Sequence, residues 1–174
     1  MKTGKTVKVL LTAATAAGML AGCGSKTDTD TFRFASELDI QGMDSTVVDD
    51  GMSFNAIHAI TDGLTAVNEK GKTAPAIAKS WDVSDDGKTY TFHLRDAKWS
   101  NGDKVTANDF VYSWRKIIKD AGNYAYMLGS GGASVKNADA LMELGANATD
   151  EQMATLGVTA KDDKTLVVEL ENKV

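Results

Sequence analysis

Residues 78–115 constrain this chain more than any other stretch, because three local devices stand in them back to back. Asp86-Gly87 is a hairpin turn signal between two runs that alternate polar and apolar residues. Tyr90, Phe92 and Leu94 alternate with Thr89, Thr91, His93 and Arg95, the pattern of a strand with one buried face. A second turn at Asn101-Gly102 precedes Thr106, which is placed to cap a helix, with Asp109 three residues on completing an imperfect capping box. Phe110, Val111, Trp114, Ile117 and Ile118 then form one apolar stripe along a helix of about 20 Å. Acids at its start and Arg115, Lys116 and Lys119 near its end suit the helix dipole. Trp81, Trp99 and Trp114 with Phe92 and Phe110 are the expected nucleus of the core, since buried aromatics carry the largest area per residue.

The order Trp, Asp-Gly, Tyr-Thr-Phe-His-Leu-Arg, Trp-Ser-Asn-Gly, Thr-Ala-x-Asp-Phe-Val-Tyr-Ser-Trp-Arg resembles the extracytoplasmic oligopeptide-binding proteins of ABC importers, the peptide/nickel solute-binding family. The resemblance implies an α+β (mixed α/β) fold: the N-terminal part of a two-lobed, periplasmic-binding-protein-like architecture with a mixed sheet and flanking helices. It also implies a truncated chain, with the first lobe's smaller subdomain over residues 31–174 and the second lobe absent. The implied function is capture of oligopeptides outside the membrane and delivery to the ABC permease subunits. The alternatives are an exported lipoprotein that is an enzyme or adhesin, or a relative specific for a nickel complex or a peptide pheromone.

The first 22 residues read as an export address. Lys2, Lys5 and Lys8 precede a small, apolar run from Val9 to Leu20, roughly a dozen residues against about 20 needed to cross a bilayer. The run ends Leu20-Ala21-Gly22-Cys23, which is similar to the lipobox of bacterial lipoproteins. A lone cysteine is ordinarily an inert thiol, but its place here points to lipid attachment at Cys23. Residues 23–30 then form a lipidated cysteine and a polar, flexible tether. The expected location is the extracytoplasmic face of the cell membrane. Removal of residues 1–22 takes away three lysines and no acid, so the formal charge moves from −5 to −8. Such acidity argues against nucleic acid or an anionic lipid surface as partner.

Further along, Thr31–Ala35 alternates as a strand, Met52–Leu64 reads as a helix with Phe54, Ile57, Ile60 and Leu64 on one face, and Leu64–Val67 as a strand. Ala74-Pro75-Ala76 breaks the chain before a helical turn to Lys79. Past Lys119, Asn137–Leu144 and a segment capped by Thr149 and Gln152 are short helices. Val158–Lys161 and Thr165–Glu171 close the chain as a hairpin.

Nothing calls for a cofactor. His58 and His93 lack partners in any metal motif. Gly129-Ser130-Gly131-Gly132 lacks the Lys-Ser/Thr of a phosphate-binding loop, and no serine sits in a nucleophile elbow. The family resemblance places the ligand against an extended segment at Asp49, Asp50, Gly51 and Met52, with Tyr124 facing the same cleft; a core aromatic is the ordinary alternative for Tyr124. It also implies that most ligand contacts come from the absent lobe, so the isolated chain is expected to bind peptide weakly.

Overall fold

The computed structural model describes residues 35, 36 and 38–173. The expected signal peptide, Cys23, the tether and all but the last residue of the Thr31–Ala35 strand lie outside the described residues. The chain from Leu38 onward folds round a four-stranded sheet with helices packed against it, in the α+β class.

Helix α1 spans Gly51–Ile60. A two-stranded antiparallel ribbon follows, β1 (Thr65–Val67) and β2 (Thr73–Pro75). The sheet is built from β3 (Ala78–Val83), β4 (Thr89–Leu94), β5 (Val158–Asp162) and β6 (Thr165–Glu169), in the order β3-β4-β6-β5, every pairing antiparallel. Helix α2 (Ala107–Lys119) packs on β5 and β6, with α3 (Ala138–Leu144) and the short α4 (Asp150–Met153) near it in sequence order after a 3₁₀ turn at Ala125–Met127.

The turn residues account for this order. At the β3–β4 hairpin Gly87 has φ +71°, a conformation glycine adopts without cost, and the Asp86 carboxylate accepts the Lys88 N–H at 3.0 Å. At the start of α2 the Asp109 carboxylate accepts the Thr106 N–H at 2.7 Å and its hydroxyl at 3.1 Å, so the acid carries the cap. The Thr149–Gln152 capping box of α4 is formed from both sides.

Two expected elements differ. The 52–64 helix is shorter: Thr61 is already extended, Ile60 is 74% exposed, and Ser53 and Ile57 alone are buried in α1. No helical turn follows Pro75, because Ala78 N–H donates to Leu64 O at 2.9 Å and β3 begins there.

The core also differs from its expected nucleus. Ile118, Leu156, Leu166, Val135 and Val158 are the large fully buried apolar side chains; Trp81, Trp114, Phe92 and Phe110 are half-buried and Trp99 is 48% exposed. One row across the sheet shows the reason. Ala160, Leu166, Phe92 and Trp81 are successive cross-strand partners from β5 to β3. Leu166 lies under α2 and is sealed; Phe92 and Trp81 lie toward the outer edge, where α2 no longer reaches. The neighbouring row repeats the gradient, from buried Val158 and Val168 through half-buried Tyr90 to exposed Val83.

Candidate functional site

The segment that enters α1 is organised by small polar side chains. Asp50 is extended (φ −99°, ψ 145°) and caps the helix, its Oδ1 accepting the Ser53 N–H at 2.8 Å. Ser53, fully buried, uses its hydroxyl oxygen to accept the N–H of Gln41 at 3.0 Å and of Gly42 at 3.2 Å, pinning the incoming chain to the first turn. Asp44 accepts the Thr46 N–H at 2.9 Å and the Thr46 hydroxyl at 2.7 Å. These bonds hold the Asp44 carboxyl below its ordinary range, helped by Lys116 at 3.8 Å. The Asp50 carboxyl is lowered too, by its bonds to Ser53. Its second oxygen, Oδ2, is shielded from solvent and has no hydrogen-bond partner among the described residues.

A second segment, distant in sequence, meets this one. The Asn123 N–H donates to Thr46 O at 2.9 Å, and Asn123 Nδ2 donates to Val47 O at 2.6 Å. Gly122 permits the approach, since a β-carbon there would stand 2.7 Å from Thr46 O. Tyr124 therefore lands beside α1, edge-on to Phe54 with ring centroids 5.4 Å apart, and its ring lies 6.5 Å from that of Tyr126. Phe54 in turn lies 6.1 Å from the His58 ring.

Tyr124 thus lies against Phe54, which shares the first turn of α1 with Gly51 and Met52; among the described residues no hydrogen bond or ring contact joins it directly to Asp49, Asp50, Gly51 or Met52. Asp49 and Gly51 are exposed, Asp50 and Met52 half-buried, and a β-carbon at Gly51 would meet nothing within 4 Å. The backbone is less extended than expected: Gly51 and Met52 already belong to the first turn of α1. Tyr124 is half-buried, with one face on Phe54.

A larger feature was not foreseen. A concavity of about 1040 Å³ lies between α2, the edge strand β3 with its neighbour β4, and residues 58–65. Trp81, Phe92, Phe110, Trp114 and Trp99 line it, and Arg95 closes its rim through an ion pair to Asp62 at 3.0 Å. The signal was present in the alternation, because every aromatic on the buried face of β3 and β4 points to the side α2 covers only partly.

Other candidates resolve into structural roles. His93 Nε2 contacts Asp82 Oδ2 at 2.7 Å across the β3–β4 pair. The Ser130 N–H in the glycine-rich loop donates to the Asp139 carboxylate at 3.1 Å, which occupies the donor a phosphate would need. Among the described residues no group of three His, Cys, Asp or Glu side chains could hold a metal ion. No helix among them is long and apolar enough to cross a membrane.

Residues 72–174 match the family described as bacterial extracellular solute-binding proteins, family 5 Middle. The chain is 39% identical, over 174 residues and 98% of its length, to the dipeptide-binding protein of Lactococcus lactis subsp. cremoris (strain MG1363), covering 30% of that relative. It is 41% identical over 121 residues, 69% of the chain and 21% of the relative, to the periplasmic oligopeptide-binding protein OppA of Haemophilus influenzae. The substrate-binding domain of an oligopeptide ABC transporter from Bacillus anthracis str. Ames superimposes with a TM-score of 0.72 at 38% identity, over 81% of this chain and 26% of that one. The chain therefore spans less than a third of the length of these relatives.

Proposed function

We propose, from the premise that this chain belongs to the bacterial extracellular solute-binding proteins of family 5, that the whole protein captures oligopeptides outside the cytoplasm and delivers them to the permease subunits of an ABC importer. The family consists of transporter solute-binding proteins and not of enzymes. The observation that carries the proposal is the identity of 39% to a dipeptide-binding protein along nearly the entire chain. In this reading residues 1–22 are a lipoprotein signal peptide, Cys23 carries the lipid that holds the protein at the outer face of the cell membrane, and residues 23–30 are its tether.

Asp49, Asp50, Gly51, Met52 and Tyr124 form this chain's share of the peptide site. Two facts support the assignment: the exposed Gly51 leaves its backbone approachable, and the Asn123 bonds to Thr46 and Val47 bring Tyr124 to that segment. Main-chain hydrogen bonds to an extended peptide would give affinity without demanding particular peptide side chains. Each such bond nets only about 0.5–1.5 kcal/mol against solvent, while ordering each peptide residue costs about 1–2 kcal/mol. A one-sided site thus roughly breaks even, and the second wall must come from elsewhere in the whole protein.

Calorimetric titration with mixed tri- to pentapeptides tests this. The full-length protein should give saturable heat that Tyr124→Ala weakens, and residues 24–174 alone should give none. Full-length protein that ignores peptides would end the peptide reading. Micromolar binding by residues 24–174 would place the complete site in this chain. Cell fractionation of Cys23→Ala tests the anchor: the variant should leave the membrane fraction, and a variant that remains there would end the lipid-anchor reading.

A further inference from the structure

Asn101-Gly102 is the single Asn-Gly pair among the 174 residues, and both residues are exposed at the tip of the turn between Trp99 and Asp103. An Asn-Gly pair is chemically labile for a steric reason: with no side chain on the following residue, its backbone nitrogen can reach the asparagine Cγ. Here every group that would react is held. The Gly102 N–H donates to Trp99 O at 2.9 Å. Asn101 Nδ2 donates to Asp103 Oδ2 at 2.8 Å, and Asn101 Oδ1 accepts the Asp103 N–H at 3.0 Å. Gly102 sits at φ +94°, a conformation that fixes the turn and suits glycine.

We propose that Asn101 is a site of spontaneous deamidation and that the closed turn, through Asp103 and the Trp99 carbonyl, holds the reaction in check. The step begins when hydroxide removes the Gly102 amide proton. The nitrogen then attacks Asn101 Cγ, the new N–Cγ bond forms, and the Cγ–Nδ2 bond breaks. Ammonia leaves with a proton taken from water, which regenerates hydroxide. Water then opens the five-membered imide at either carbonyl, giving aspartate or isoaspartate, with no change of oxidation state. In the folded turn the attacking nitrogen keeps its proton in a hydrogen bond, and the Asp103 carboxylate opposes negative charge building on the adjacent amide. Reaction requires local opening of the turn. The product is damage to that turn. A carboxylate at position 101 would face Asp103 where a hydrogen bond stood, loosening the Lys98–Lys104 bridge and Trp99 on the rim of the concavity.

The full chain is incubated at pH 8 in buffer and in 8 M urea, and peptide mass spectrometry follows the 1 Da gain at each asparagine. Modification should appear first at Asn101, at least tenfold slower in buffer than in urea. Asp103→Asn, which removes the charge and keeps an acceptor, should raise the rate in buffer several-fold while leaving the rate in urea unchanged; far-ultraviolet circular dichroism checks that this variant is folded. Equal rates in buffer and urea, earlier modification at another asparagine, or an unchanged rate in a folded Asp103→Asn protein would each overturn the proposal.

Discussion

The sheet body and the segment that leads into α1 are held by different physics. The body, β3 to β6 with α2 and α3, closes round one cluster in which Leu166 and Val158 are sealed and Ile118 covers them. The 38–60 segment contributes no residue to that cluster; its buried side chains are Thr46, Val48, Ser53 and Ile57. Asparagine, serine and aspartate hydrogen bonds, with one aromatic edge contact, hold it instead. Apolar burial scales with area and is cooperative across a core, whereas each hydrogen bond nets about 1 kcal/mol and can open alone. The candidate peptide contacts therefore sit on the more loosely held part, where a ligand can reshape the backbone without cost to the core.

Large-to-small changes in the body should sharpen that contrast most. Leu166→Ala, at a position with no exposure, should cost about 2–5 kcal/mol in a urea titration. Trp114→Ala removes a larger side chain but from the half-open concavity, so it should cost about half of what a sealed tryptophan would, roughly 2 kcal/mol. If Trp114→Ala proves the more damaging of the two, the concavity is closed in solution and the gradient across the sheet is wrong.

Smaller effects follow at the ends of elements. Asp109→Ala removes the acceptor of both Thr106 bonds and should cost about 1 kcal/mol, more than Thr106→Ala; the reverse order would mean that the threonine hydroxyl does the capping. Asn123→Ala should move the global midpoint by less than about 0.5 kcal/mol, yet raise amide exchange across residues 46–57 by roughly tenfold. Uniform exchange in that variant would show the segment and the body opening as one unit.

Acid should separate the two regions most gently. Asp44 and Asp50 have carboxyls lowered in the folded state from an ordinary value of 3.8. A lowered folded value means their contribution is complete above about pH 4 and is lost as pH falls through the folded values. Amide protection at Thr46 and Ser53 should fade in that window while the strands stay protected. The hairpin carboxyls Asp86 and Asp162 are lowered as well, by Ser84 and by the Lys164 N–H, but there the sealed core holds the strands. Early loss of β4 and β6 protection would contradict the division.

Much of the body was legible because its signals are local. The turn at Asp86-Gly87, the alternation through Leu94 and the start of α2 each depend on residues within a few positions of one another. Tyr124 was legible only through the family resemblance, since its partner Phe54 lies 70 positions earlier and nothing in either neighbourhood names the other. The end of α1 was misplaced because the apolar spacing continues through Ile60 to Leu64, although the chain turns extended at Thr61 and Leu64 O accepts the Ala78 N–H instead.

By itself, the sequence determined which residues alternate, where the chain turns and which helix has an acid to cap it, because backbone sterics and first-neighbour hydrogen bonds settle those matters. Which aromatic residues are buried was decided by the tertiary structure alone. Alternation says only that Phe92 and Leu166 each lie on the apolar face of their own strand; the strand register puts them on one face with Trp81, and the placement of α2 over β5 and β6 seals Leu166 and leaves the two aromatics at an open concavity. The same holds for the meeting of Asn123 with Thr46 and Val47, because a contact between distant segments depends on how every element between them packs.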